Sequence, residues 1–217
     1  VGCVGAERRG AEVVFRAPGG RRLAVWRAAL PGVADEAGRG AGAEDEASLV
    51  RALGLACGPG DLWVVLLARA GHFAAVVVEP RTGRVAHHRT FHRYVVRAKA
   101  GGRQSTKDAT GKSIKSAGSQ IRRANEAALR RDVRSLLAAW KPHLSAAKAV
   151  FVQVSQEDSR TVFDGDDAPL SRSDPRVRRI PFATRRPTFS EARAAALRLA
   201  SARELPTEGE EAAAAAA

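Results

Sequence analysis

From Leu62 the chain reads Leu-Trp-Val-Val-Leu-Leu-Ala68, then Arg69-Ala70-Gly71-His72, then Phe73-Ala-Ala-Val-Val-Val-Glu79, then Pro80-Arg81-Thr82-Gly83-Arg84, and onward from Val85 to Arg97. The two apolar runs are rich in Val and Leu, short, and bounded by turn residues, as expected of strands buried on at least one face. Arg81-Thr82-Gly83 makes the turn into a third strand from about Val85 to Arg97. Three consecutive strands of this kind form a meander that delivers the chain beyond Arg97 from a sheet edge or end.

The next stretch is Ala98-Lys-Ala-Gly-Gly-Arg-Gln-Ser-Thr-Lys-Asp-Ala-Thr-Gly-Lys-Ser-Ile-Lys-Ser-Ala-Gly-Ser-Gln120, glycine-rich, basic and almost free of apolar residues. So long a loop inside a compact domain is functional or disordered. Gly101 and Gly102 allow close backbone approach to a ligand, and Arg103, Lys107, Lys112 and Lys115 favour an anionic one. The segment reads as a positively charged loop presenting the Gln104 amide to something rich in phosphate; a basic linker is the alternative.

The charge distribution favours the first reading. The chain carries 36 Lys+Arg and 23 Asp+Glu, a net charge of +13, and the stretch from Arg84 to Arg134 alone holds 14 Lys+Arg against Asp108, Glu126 and Asp132. A basic excess concentrated around a glycine-rich loop is an electrostatic footprint for nucleic acid. An anionic membrane is the rival, but a membrane-surface segment needs bulky apolar anchors, and the loop offers only Ile114. With 3 Trp, 1 Tyr and 7 Phe, aromatics are too few for a stacking platform to be the main RNA-binding device.

Outward from the meander, Glu12–Ala17 and Arg21–Arg27 flank Pro18-Gly19-Gly20 as a β-hairpin. The Gly/Ala/acid-rich stretch 31–47 reads as a flexible insertion, and Ser48 as the N-cap of a short helix to about Leu55. Ile121 opens the clearest helix: Ile121, Ala124, Ala128, Leu129, Val133, Leu136, Leu137, Trp140 and Leu144 recur at three- and four-residue steps as one apolar stripe. Arg122, Arg123, Arg130 and Arg134 fall mostly outside it, so the helix turns an arginine-rich flank outward. Ala149–Val154 is a buried strand, Ser159–Phe163 is ambiguous, 164–175 is turn-rich, Val177–Phe182 is a strand, and Ser190–Ala200 is a closing helix capped by Ser190. Strands and helices alternating after a meander give an α/β fold with a mixed β-sheet and packed helices.

At 217 residues and 45% hydrophobic content, one sizeable domain is expected over 1–205, with a disordered tail over 206–217. No apolar run is long enough to span a bilayer, so no membrane insertion is expected, and no signal peptide is visible. The chain begins at Val1 and contains no Met, which reads as a piece of a longer protein. Cys3 and Cys57 lack metal-type spacing and read as two free, buried thiols in a reducing, cytoplasmic compartment.

Gly111-Lys112-Ser113 suggests a phosphate-binding P-loop, but Thr106 stands where that motif needs its first glycine. His87, His88 and His92 suggest a metal, but adjacent strand residues point to opposite faces and no acid or Cys is close in sequence. No metal and no cofactor are therefore expected. Arg185-Arg186-Pro187 reads as a solvated surface turn. A carboxamide does not titrate in the useful range; Gln104 can orient a nucleophile or donate to developing negative charge, or bond only to its own loop. His92 is a candidate acid/base helper by residue type.

Gly71-His72-Phe73-Ala74, Phe91-His92-Arg93-Tyr94-Val95-Val96-Arg97-Ala98-Lys99, Gly101-Gly102-x-Gln104-Ser105, Lys107-Asp108, Lys115-Ser116-Ala117-Gly118, Arg122-Arg123-x-Asn125-Glu126 and Ile180-Pro181-Phe182-x-Thr184-Arg185-Arg186-Pro187-Thr188 resemble, in order, the release-factor domain of the Vms/ANKZF type. The resemblance spans roughly Asp61 to Ser190. It implies a fold similar to the central domain of class-one peptide-chain release factors, with 98–118 as the catalytic loop. It implies a ribosome quality-control factor that cleaves peptidyl-tRNA near the tRNA 3′ end on stalled large subunits. The partners would be peptidyl-tRNA, the large ribosomal subunit and rRNA, and the chain a monomer. Gln104 would inherit the catalytic role. Gly101, Gly102, Arg103, Lys107, Lys112 and Lys115 would shape the loop and hold phosphate. His92, Arg93, Arg97, Lys99, Arg122, Arg123, Arg130 and Arg134 would contact RNA. Two residues depart from the family pattern: Arg103 stands in place of a small residue, and Ala124 in place of an aromatic. Three readings stay open: a metal-independent tRNA endonuclease, an ester hydrolase of release-factor type, and a non-catalytic RNA- or ribosome-binding module.

Overall fold

A computed structural model describes residues 3, 5–34, 45–95, 117–163, 168, 170–207 and 209–210. The core of the expected insertion, the Gly-Gly-x-Gln loop and most of the tail lie outside them. In chain order the elements are β1 (Gly5–Arg9), β2 (Glu12–Arg16), β3 (Arg22–Trp26), α1 (Glu46–Leu55), β4 (Trp63–Arg69), β5 (His72–Val78), β6 (Val85–His92), α2 (Ala117–Ala139), α3 (Lys141–Ala146), β7 (Ala149–Val154), α4 (Gln156–Phe163), β8 (Val177–Arg179), α5 (Phe189–Leu199) and β9 (Ala202–Leu205). The fold is α/β, as expected, built on two sheets.

The larger sheet is mixed, in the order β6-β5-β4-β7-β8. β6, β5 and β4 are antiparallel neighbours, while β4, β7 and β8 run parallel. Its two faces carry separate cores. Val64, Leu66, Phe73, Ala75, Val77, Val150 and Val152 meet Leu129, Val133 and Leu137 of α2 on one face. Trp63, Val65, Leu67, Val76 and Phe151 meet Ala192, Ala195, Ala196 and Leu199 of α5 on the other. Central strands covered on both faces read as continuous apolar runs rather than alternating ones, which is why the Leu62–Glu79 stretch carries so much of the fold.

The smaller sheet, β1-β2-β3-β9, is antiparallel throughout. The hairpin of β2 and β3 matches expectation; the outer strands β1 and β9 have no apolar alternation and leave no sequence signal. Val33, inside the segment read as flexible, is fully buried with Val13, Phe15 and Leu49. Arg178, 4% exposed on β8, ties this region to the larger sheet: its Nη1 donates to the carbonyls of Leu30 (2.8 Å), Val33 (2.9 Å) and Ala28 (3.4 Å). Arg198 lies over the rings of both Trp26 and Phe182, closing the same seam.

Several element boundaries differ from the sequence expectation. β6 stops at His92 because its partner β5 begins at His72; the next amide, Arg93 N–H, finds only the Gly71 carbonyl of the turn (2.9 Å). The apolar stripe from Ile121 to Leu144 spans two helices, since Pro142 fits only the first turn of a new one. Ile121 itself is 55% exposed, so the stripe reaches the core only from Leu129 onward. The caps are displaced by two or three residues. Asp45, not Ser48, caps α1 and accepts from the Ser48 amide; Thr188, not Ser190, caps α5 and accepts from the Glu191 amide. Ser159–Phe163 belongs to α4. β8 ends at Arg179, ahead of Pro181, which has no N–H to continue the ladder. Cys3 and Cys57 are free, but both are half-buried rather than buried; burial, then Asp61, pushes the Cys57 thiol up.

Candidate nucleic-acid interface

The described chain stops at Val95, three residues beyond β6, and resumes at Ala117, the first residue of α2. The turn from β4 into β5 is two residues long. Arg69 and His72 are register partners, and Ala70 (φ 53°) and Gly71 (φ 82°) both adopt positive φ, the pattern of a type I′ hairpin that matches strand twist. A side chain at Gly71 would run into the Arg93 carbonyl and Val95. The chain leaving β6 is then laid on α2. Arg93 Nε (2.9 Å) and Nη2 (2.5 Å) donate to Asp132 Oδ2, and Asn125 Nδ2 donates to the Tyr94 carbonyl (2.9 Å).

Of the expected site residues, Gly101, Gly102, Arg103, Gln104, Lys107, Lys112, Lys115, Arg97 and Lys99 lie outside the described residues. Six are described, and they fall in different places. Arg93 is committed to Asp132. Arg122 is half-buried near the start of α2, and Arg123, Arg130 and Arg134 are exposed. Their seven- and four-residue spacing puts the last three on one helix flank. Arg130 faces a cleft of about 1020 Å³ whose lining includes Arg69, Gly71, Val95, Ser155, Arg160 and Arg172. The cleft opens beyond the carboxyl ends of the parallel strands β4 and β7, where α/β sheets commonly bind ligands. Among its lining residues Ser155 caps α4: the Asp158 amide donates to Ser155 Oγ (3.2 Å), and that hydroxyl donates to Asp158 Oδ2 (2.7 Å).

His92 lies away from this flank, on the α5 side of the sheet, with its ring stacked on His72 at 4.0 Å. His87 and His88 point to opposite faces, as expected of neighbours on a strand: His87 lies against His143 and Trp140, and His88 against Phe189. Gly71, Asn125 and Asp132 hold the chain leaving β6; the sequence marks Gly71 as a turn residue and Asn125 as part of a motif of the release-factor resemblance, while Asp132 carries no signal of its partner.

Comparisons with known proteins bear on the family and the fold. The family model described as Bacteroidetes VLRF1 release factor matches residues 63–205, from β4 through β9. The tRNA endonuclease ANKZF1 of Bos taurus is 49% identical over 136 residues, 62% of this chain and 18% of that protein. The tRNA endonuclease VMS1 of Saccharomyces cerevisiae is 33% identical over 166 residues, 68% of this chain and 26% of that protein. The chain thus spans about a fifth to a quarter of the length of these curated relatives. A solved structure titled Vms1 mitochondrial localization core shares the fold, with a TM-score of 0.62 at 20% identity, covering 91% of this chain and 77% of that one. With most of its length matched in this way, the chain belongs to the VLRF1 release-factor family and forms a release-factor-like domain of the Vms/ANKZF type.

Proposed function

We propose that the chain is the catalytic piece of a ribosome quality-control factor that cuts peptidyl-tRNA near its 3′ end and so frees the nascent chain. The observation that supports this most is the pinning of the chain leaving β6 onto α2, the helix that follows the Gly-Gly-x-Gln segment, beside a cleft lined by Arg69, Arg130, Arg160 and Arg172. Relatives bearing the tRNA endonuclease name point to the same reaction. Peptidyl-tRNA on a stalled large subunit is the proposed substrate, rRNA an additional contact, and the cytoplasm the compartment; the chain acts as a monomer. Among the described residues, no helix is long and apolar enough to cross a membrane.

In this reading the neighbouring ribose supplies the nucleophile. Its 2′-hydroxyl is already held close to the 3′-phosphate, and enforced proximity of this kind lowers a barrier substantially. The 2′-hydroxyl oxygen attacks phosphorus and releases its proton to solvent, the bond to the 5′-oxygen of the next nucleotide breaks, that oxygen takes a proton from solvent, and the products carry a 2′,3′-cyclic phosphate and a 5′-hydroxyl. Gln104 aligns the hydroxyl. Gly101 and Gly102 let the backbone approach, and Arg103, Lys107, Lys112 and Lys115 offset charge on the phosphorane. Arg97, Lys99, Arg122, Arg123, Arg130 and Arg134 hold the RNA backbone. No proton transfer in this scheme requires a metal-bound water.

The test is incubation with stalled large-subunit peptidyl-tRNA complexes in the presence of chelator, resolving both peptide and tRNA ends. A shortened tRNA ending in a cyclic phosphate is expected. Gln104→Ala is expected to slow release on the order of a hundredfold or more while ribosome binding and thermal unfolding stay as in the parent. An intact tRNA beside released peptide transfers the assignment to ester hydrolysis. Release at the parent rate by the Gln104 variant leaves a binding module.

A further inference from the structure

On the face of the sheet opposite α2, His72 and His92 are register partners at the open end of β5 and β6. Side chains so placed are close neighbours, and here the imidazoles lie 4.0 Å apart with only 13° between their planes. The turn into α5 stands over them. Thr90, Phe91, Arg186, Pro187, Thr188 and Phe189 complete a pocket of about 350 Å³ around the two rings.

Among the described residues, no carboxylate lines the pocket. Glu191, the acid on the first turn of α5, is directed elsewhere and accepts from the Arg185 amide at 2.8 Å. Among the described residues, no side chain hydrogen-bonds either imidazole or the Arg186 guanidinium. Burial first, then His92, then Arg186, hold His72 below the ordinary imidazole range. Two imidazoles, a guanidinium and two threonine hydroxyls without a counter-charge are a donor set for an anion with several acceptor oxygens. The pocket lies just ahead of the glycine-rich segment, at its root.

We propose that His72, His92 and Arg186 form a phosphate-binding pocket that takes one phosphodiester of the bound RNA and takes up a proton as it does so. The RNA half of this rests on the nucleic-acid reading above; the anion site does not. Protonated imidazole is the stronger partner for phosphate, so binding draws a proton onto the pair. Affinity therefore falls as pH rises, by at most about tenfold per pH unit for each proton taken up.

The experiment follows the imidazole resonances of the chain by NMR through titrations with inorganic phosphate and, separately, with a short RNA oligonucleotide. Oligonucleotide affinity and tRNA cleavage are measured in parallel at pH 6 and pH 8. Both rings are expected to shift with either ligand, and His72 to titrate at higher pH. Oligonucleotide affinity is expected to be several-fold weaker at pH 8 than at pH 6, and His72→Gln/His92→Gln flattens that difference. Arg186→Gln, an exposed position that spares the fold, weakens the phosphate response with the imidazoles still present. Rings unmoved by both ligands, or a pH difference shared by parent and double variant, overturn the pocket. A response to inorganic phosphate but not to the oligonucleotide overturns the RNA assignment and leaves a small-anion site. Cleavage of tRNA with silent rings sinks the pocket alone; rings that respond in a protein that cuts nothing sink the proposed reaction alone.

Discussion

Ala70 carries a backbone conformation that its own side chain disfavours. It is the one described non-glycine residue with positive φ, and it sits beside Gly71 in the two-residue turn that closes β4 onto β5 and lines the arginine cleft. The left-handed region costs an L-residue about 1–2 kcal/mol, whereas glycine enters it freely at an entropic cost of several tenths of a kcal/mol. Ala70→Gly is therefore expected to leave stability unchanged or raise it by up to about 1 kcal/mol, read from denaturant unfolding. Gly71→Ala adds a methyl group against the Arg93 carbonyl as well as strain, and is expected to cost about 1–3 kcal/mol or more. A Gly71 variant as stable as the parent would mean the turn can reshape, and the root of the loop with it. The sequence marks Gly71 as a turn residue. It does not mark Ala70, because an alanine held in an unfavourable conformation by its neighbours looks like any other alanine.

At the scale of elements, the meander and the long helix were legible because burial on one or both faces imposes a pattern along the chain. Caps were legible only to within a turn: Asp45 and Ser48, or Thr188 and Ser190, are all competent acceptors, and the choice depends on where the preceding chain enters. Thr188→Ala is expected to destabilise by about 1 kcal/mol, with Ser190→Ala near neutral; the reverse order would return the cap to Ser190. The Arg93–Asp132 pair was not legible, since two charges 39 positions apart carry no mutual signal in a single sequence. Its side chains are 37% and 33% exposed, so the pair contributes little to global stability, about 1 kcal/mol at most. Its role is local, pinning the exit of β6 to α2. Asp132→Asn should thus barely move the melting temperature. Cleavage should nonetheless fall, by up to roughly a hundredfold if the loop root shifts by about 1 Å. An activity loss matched by an equal loss of stability would make the pair a general brace instead.

Over the whole molecule, the larger sheet was foreshadowed by apolar runs, while the smaller one was half hidden because β1 and β9 are short, polar edge strands whose register is fixed by β2 and β3 rather than by their own sequence. Arg178 illustrates the same gap: within Val177–Arg179 it reads as one more surface cation, yet it is buried against three carbonyls from the segment that leaves the other sheet. Net charge is therefore a poor guide to which arginines face a ligand, and the distinction can be measured. Arg130 lines the cleft, and Arg51 is exposed on α1, the helix packed on the smaller sheet. Reversing either to Glu changes the net charge by the same amount. If long-range attraction to the whole cationic surface governs binding, both variants weaken tRNA binding equally and more so at low salt. If phosphates are held at the arginine flank of α2, only Arg130→Glu lowers affinity strongly. It should also flatten the plot of log affinity against log salt by about 0.7–0.9 for each phosphate no longer held, while Arg51→Glu keeps the parent slope. Matching slopes in the two variants would remove the α2 flank from the interface and leave binding to the glycine-rich segment and the pocket at its root.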